Sequence, residues 1–231
     1  MIQDHGTAFP IAVLFDFGGT LDADGVAWKE RFFRLWCEEV EAVEPERFAP
    51  VFYAADDALV GAVPPTLTLR ETVERIAQGV TREMGASDPA LAGRIAGRFL
   101  DEARERLQAS ALLLSRLSRR YRLGVVSNFY GNLSAVCAEA GLSPFLAVMV
   151  DSACVGCTKP DARIFQAALA GANVKPDQAV FVGDSLPRDM AGARGIGMPH
   201  IWLTPKAAQT EQPCCPGDRV IHRLEDLGRL L

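Results

Sequence analysis

The stretch Ile11-Ala-Val-Leu-Phe-Asp16-Phe17-Gly18-Gly19-Thr20-Leu21 decides how this chain is read. Five apolar residues run into a carboxylate, and two glycines then turn the chain toward a hydroxyl. An unbroken apolar run of this length is the pattern of a strand buried on both faces of a parallel sheet. In open α/β sheets, ligands bind just beyond the carboxyl ends of such strands. Asp16 therefore stands where a nucleophile or a metal ligand is useful. An ordinary strand ending in a turn gives the same pattern, so the run by itself does not choose between the two.

Three later segments do choose. Arg122-Leu-Gly-Val-Val-Ser127-Asn128 is a second apolar strand ending in a hydroxyl and an amide. Lys159-Pro160 precedes the helix-like Asp161-Ala-Arg-Ile-Phe. Ala179-Val-Phe-Val-Gly183-Asp184-Ser185-Leu-Pro-Arg-Asp189 is a strand running into two carboxylates five residues apart. In order and spacing the four segments closely resemble the haloacid dehalogenase (HAD) superfamily, most of whose members are magnesium-dependent phosphohydrolases. The resemblance covers nearly the whole chain.

Between the first two segments lie about ninety residues with helical periodicity. Trp28, Phe32, Leu35/Trp36 and Val40 recur at helical spacing, and so do Phe48, Val51/Phe52, Ala55 and Leu59 after Pro45,. Thr68 and Glu71 form a capping-box pattern ahead of Val73, Ile76 and Val80. Asp88-Pro89 precedes Leu91, Ile95, Phe99, Ala103 and Leu107. Amphipathic helices of this kind must bury their stripes on one another, which predicts a small bundle. Residues 110–120 read as a further helix. The pattern then changes to strand candidates 122–127, 145–150, 179–183 and 199–203 alternating with helix-like segments 131–140, 161–171 and 187–195. That alternation predicts a doubly wound parallel sheet. Residues 205–218 read as a loop before a last short strand and helix. The expected fold is an α/β, HAD-like Rossmannoid core formed by 1–24 and 110–231. A helical bundle at 25–109 is placed and sized for the cap that HAD relatives carry over the active site.

Composition sets outer bounds. The 231 residues are 49% hydrophobic and 23% charged, with net charge −5 and a pI near 5.3. That balance suits a soluble globular protein and argues against a nucleic-acid surface. The N-terminus lacks the basic and apolar regions of a signal peptide, and no apolar run reaches the ~20 residues of a membrane span. The expectation is a cytoplasmic protein, monomeric or homodimeric, with no nucleic-acid or membrane partner. Six cysteines include Cys154-x-x-Cys157 and the adjacent Cys214-Cys215. Zinc would require the two pairs to meet, and reduced thiols are the expected state.

The resemblance implies roles for named residues. Asp16 would be the nucleophile that carries an aspartyl-phosphate. Asp16, Asp184, Asp189 and the backbone carbonyl at Gly18 would hold Mg²⁺, a cation that prefers hard oxygen donors. Lys159 would hold the phosphate and damp repulsion between carboxylates. Ser127 and Asn128, with Gly19 and Thr20, would complete the phosphate site for a small phosphorylated metabolite. Singly, each residue has a plain structural use: Asp184 and Asp189 as helix caps, Ser127 and Thr20 in turns, Lys159 as a solvated lysine. With only 4 lysines in the chain, finding one at the expected place favours the site. One position departs from the pattern. The family's phosphatases usually carry a second aspartate, a general acid and base, two residues after the nucleophile, and here that residue is Gly18. The change predicts a rate that depends steeply on leaving-group pKa, unless Asp22 or Asp24 substitutes. Both of these read more simply as turn residues. It also keeps open a dehalogenase-like or phosphonate-cleaving hydrolase, or a catalytically weak binding protein.

Overall fold

The computed structural model describes residues 10–40, 42–206 and 219–231. Six strands form one sheet: β1 Ala12–Phe15, β2 Arg122–Ser127, β3 Leu146–Asp151, β4 Ala179–Gly183, β5 His200–Leu203 and β6 Arg219–Ile221. Every pairing is parallel, in the order β3-β2-β1-β4-β5-β6. β1 is central and all four of its residues are fully buried. Val13 and Phe15 pack into one core cluster, and Ala12 and Leu14 into a second on the opposite face. This two-sided burial is why the strand is written without alternation.

Helices cover both faces. α5 Leu133–Glu139 contributes Leu133, Val136 and Cys137 to the first cluster. After α6 Ser152–Val155, a single turn, α7 Ala162–Ala172 and α8 Ala191–Gly195 contribute to the second through Ile164, Phe165, Ala168 and Ala193. Between β1 and β2 stand α1 Trp28–Glu39, α2 Pro45–Asp57, α3 Leu69–Glu83 and α4 Leu91–Leu117, packed on one another. The Thr68/Glu71 capping box opens α3 as its sequence predicts.

Two boundaries differ from the sequence reading. Residues 110–120 do not form a separate helix, because α4 runs unbroken from Leu91 to Leu117. Beyond Gly97 it contains no glycine or proline, and Ala103, Leu107, Ser110, Leu113/Leu114 and Leu117 keep one buried stripe continuous,. The expected helix 187–195 begins one residue earlier and opens with a wider, π-helical turn, Leu186–Met190, that runs on into the short α8. Cys37, Cys137, Cys154 and Cys157 are free thiols. Cys214 and Cys215 lie outside the described residues. No helix among the described residues is long and apolar enough to cross a membrane.

Register delivers the site. Phe15 is level with Val125 on β2 and with Val182 on β4. Asp16 follows one residue on from Phe15, and Ser127 and Asp184 follow two residues on from Val125 and Val182, so all three emerge at the same edge of the sheet.

Candidate active site

Four charged groups meet at that edge. The ammonium of Lys159 lies 2.7 Å from Asp16 Oδ1 and 2.7 Å from Asp189 Oδ1. Ser127 Oγ donates to Asp16 Oδ1 at 2.8 Å, and Thr20 Oγ1 donates to Asp184 Oδ1 at 3.0 Å. Asp16, Asp184 and Asp189 each offer an oxygen within 4.8 Å of the others. Asp189 and Lys159 are buried, and Asp16 is only 7% exposed.

Backbone and neighbours fix this arrangement. Gly19 has φ +89°, and a Cβ there would stand 2.6 Å from the Asp184 carboxylate, so only glycine allows the turn to pass beneath Asp184,. Asp189 accepts the Ser185 amide at 3.0 Å, and Trp202 Nε1 donates to the Asp184 carbonyl at 2.9 Å. Asn128 grips the Lys159 backbone at both ends, accepting its amide at 2.7 Å and donating to its carbonyl at 3.2 Å. The Asn128 side chain thus aims the lysine.

The electrostatics are unbalanced. Burial and the neighbouring Asp16 and Asp189 push the Asp184 carboxyl well above the usual carboxylate range. Burial also raises Asp189, with Lys159 pulling against it. Burial opposes the charge of Lys159, yet Asp16 and Asp189 hold its ammonium above the ordinary lysine value. One ammonium faces three carboxyl groups in a buried cluster, and the upward push on Asp184 and Asp189 shows that positive charge is in deficit there. A divalent cation bound through hard oxygens fits that deficit and that donor set.

Not every predicted residue faces the same task. Gly19 gives its amide to Asp22 Oδ1 at 2.7 Å, and Thr20 gives its hydroxyl to Asp184. Asp22 also takes Trp28 Nε1 at 2.7 Å and an Arg31 ion pair at 2.8 Å, and it is fully buried. Asp24 accepts the Leu224 amide at 3.0 Å and pairs with Arg106 at 3.1 Å. Neither is available as a replacement acid, and both serve the turn, which is their simpler reading. At Gly18 the backbone is ordinary (φ −73°, ψ 120°), but a Cβ would meet Trp28 Nε1 at 3.2 Å. The indole lies against the place where a side chain at 18 would start.

The sequence reading did not single out Arg31, Tyr130 or Asp56. Arg31 looks like one surface charge of an amphipathic helix, yet it lies 3.6 Å from the Phe99 ring centre and donates to the Phe99 carbonyl at 2.8 Å. The Tyr130 hydroxyl donates a short hydrogen bond to Asp56, which is 74 residues away in sequence. Local periodicity carries no signal for such pairs.

Fold and site together define a doubly wound α/β core with a carboxylate nucleophile candidate at the end of its central strand. The chain belongs to the haloacid dehalogenase-like hydrolases, whose family model matches residues 12–197. It is 42% identical over 113 residues to the mouse (Mus musculus) haloacid dehalogenase-like hydrolase domain-containing protein 3, covering 49% of this chain and 45% of that protein. The chain spans less than half the length of that relative and of its counterparts from Bos taurus and Xenopus laevis. A phosphoglycolate phosphatase of Rhodospirillum rubrum is 31% identical over 203 residues, covering 84% of this chain and 80% of that enzyme. Among solved structures, the HAD-hydrolase YfnB of Bacillus subtilis, bound to magnesium, shares the fold. Its TM-score is 0.61 at 22% identity, over 97% of this chain and 99% of that one.

Proposed function

We propose that the protein is a Mg²⁺-dependent phosphohydrolase that cleaves a small phosphorylated metabolite in the cytoplasm through an aspartyl-phosphate on Asp16. The convergence of Asp16, Asp184, Asp189 and Lys159 at one strand edge carries this reading. The phosphatase names of relatives such as the Rhodospirillum rubrum enzyme support it. The helical insert, 25–109, acts in this reading as a cap on the core formed by 1–24 and 110–231, with α4 running through its C-terminal boundary.

Asp16, Asp184, Asp189 and the Gly18 carbonyl would hold the cation, which supplies charge neutralisation for the phosphate oxygens. Asp16 attacks phosphorus in line with the departing oxygen. Ser127 presents its hydroxyl beside the attacking carboxylate, where it also reaches a phosphate oxygen. Lys159, fixed by Asn128, pairs with Asp16 and offsets charge on the phosphoryl group,. Water then attacks the acyl-phosphate and returns Asp16 to its starting state.

Gly18 favours a second reading, a dehalogenase, in which Asp16 displaces halide and needs no metal. One assay separates them: phosphate release from 4-nitrophenyl phosphate with Mg²⁺ and with EDTA, for the wild type and Asp16→Asn. The phosphatase reading expects turnover that EDTA silences and that Asp16→Asn abolishes. Undiminished turnover in EDTA, or halide release from a 2-haloacid in its place, would overturn it.

A further inference from the structure

The missing carboxyl at Gly18 leaves open where the departing oxygen finds its proton. Asp22 and Asp24, the nearest carboxylates in sequence, are bound to the turn and to Arg31 and Arg106. The protein carries another candidate across the site, on α2.

We propose that Asp56, held by the Tyr130 hydroxyl, is the proton donor and acceptor of the reaction, supplied from the helical insert instead of from the position after the nucleophile. The proposal rests on the phosphatase reading above.

Topology places Asp56 over the reacting edge. It hydrogen-bonds Tyr130, which lies in the loop leaving β2, and it feels the charge of Arg188, in the turn leaving β4. β2 and β4 are the two neighbours of β1. Asp56 is thus bonded to the loop beyond one neighbour of β1 and lies within electrostatic reach of the turn beyond the other, at the end of the sheet that delivers Asp16. A second bond, Gly61 N to the Tyr130 carbonyl at 3.1 Å, fixes the end of α2 to the same loop. The Tyr130 ring lies 6.4 Å from the Trp28 ring, and Trp28 Nε1 would stand 3.2 Å from a Cβ at residue 18. The indole thus crowds the position of the usual acid, and the Tyr130 that holds Asp56 packs near the same indole. Asp56 Oδ1 accepts the hydrogen bond of the tyrosine hydroxyl, which leaves Oδ2 as the oxygen to carry the acid's proton.

The protonation state suits the task. Burial pushes the Asp56 carboxyl up to about 6, with Asp57 adding to the rise and Tyr130 and Arg188 opposing it. A general acid works best with a pKa near the operating pH.

The step balances. As Asp16 bonds to phosphorus and the ester P–O bond breaks, the proton on Asp56 Oδ2 passes to the departing oxygen, which leaves as an alcohol. The resulting Asp56 carboxylate takes a proton from the water that attacks the aspartyl-phosphate. The P–O bond to Asp16 breaks, phosphate departs, and Asp56 is again protonated.

The test compares an alkyl phosphate, whose alkoxide needs a proton, with 4-nitrophenyl phosphate, whose phenolate does not, on the Mg²⁺-loaded protein. Asp56→Asn is expected to lower the alkyl-to-aryl ratio of kcat/KM by ~10²–10⁴-fold, the range of general acid–base catalysis. In the wild type, kcat/KM for the alkyl ester alone should fall as pH rises through about 6. Tyr130 acts as a positioning residue that lowers the acid's pKa, so Tyr130→Phe should move that limb to higher pH. An unchanged ratio in Asp56→Asn, or identical wild-type pH profiles for the two esters, would overturn the proposal and leave the phosphatase reading standing. If Asp56→Asn does not fold, the wild-type profiles decide alone. Turnover of neither ester would overturn the phosphatase reading, and this proposal with it.

Discussion

At Gly18 the backbone would accept any residue, and the obstacle to a side chain is the neighbouring indole. A Cβ would lie 3.2 Å from Trp28 Nε1, so the side chain of Gly18→Asp crowds a ring that its bond to Asp22 holds in place. Overpacking of this kind typically costs ~1–3 kcal/mol. Urea unfolding should show that loss for Gly18→Asp, together with no gain in activity on alkyl phosphates. Asp56 leads to the opposite expectation for stability. Its folded pKa is raised above the unfolded value of 3.8 to about 6, so the native state binds the extra proton. Its contribution is fully favourable below about pH 4 and is lost as pH rises toward 6. Asp56→Asn, which cannot ionise, should therefore be more stable than the wild type at pH 7.5. The gain should be roughly 2–3 kcal/mol, since each pKa unit is worth ~1.4 kcal/mol. Thermal melts at pH 4 and pH 7.5 would measure it. A variant that gains stability while losing activity separates the catalytic role of Asp56 from a structural one.

Among the elements, those buried on both faces were legible and those joined through long-range polar contacts were not. β1, β2 and β4 declare themselves as apolar runs, and the chemistry at their ends follows from their parallel order. The stripe of α4 is equally plain, but nothing in it marks where an insert should stop, and the helix continues to Leu117. Ser110, near the expected boundary, donates from α4 to the Leu21 carbonyl at 2.7 Å and pins the helix to the turn after β1. The Asp22–Arg31–Trp28 knot was hidden for a similar reason. It joins that turn, α1 and the Phe99 carbonyl of α4, and each partner alone looks like an ordinary turn or surface residue. Removing one member of a buried ion pair strands the other and costs ~3–5 kcal/mol. Arg31→Met should lower the urea midpoint accordingly. Arg34→Met should barely move it, because Arg34 pairs with Glu38 and Glu102 on the surface, where such pairs are worth ~0–1 kcal/mol.

For the whole molecule, the consequential imbalance is the buried gathering of Asp16, Asp184 and Asp189 around the single ammonium of Lys159 at the sheet edge. A cation that binds only the native state stabilises it by mass action, by ~2.7 kcal/mol at a concentration one hundred times its Kd. The Tm should rise with Mg²⁺ concentration in the wild type. In Asp184→Asn the metal-free Tm should be higher and its response to Mg²⁺ smaller, because burial and the repulsion by Asp16 and Asp189 are relieved while a ligand is lost. Differential scanning calorimetry across a Mg²⁺ series checks both, and a flat wild-type series would count against the metal site.

Asp16 and Ser127 are hydrogen-bonded neighbours on adjacent strands, yet 111 residues separate them in sequence. Their meeting closes a very long loop, but the entropy of closure grows only with the logarithm of loop length, ~0.6 kcal/mol for each doubling. The junction between β1 and β2 is therefore a place where chain can be added or removed with little thermodynamic consequence for the sheet. If the insert brings the proton to the reaction while the sheet edge holds the phosphoryl group, the two halves of the chemistry can vary in size independently. A lineage could change what it cleaves by rewriting the long excursion and leave the strand that attacks untouched.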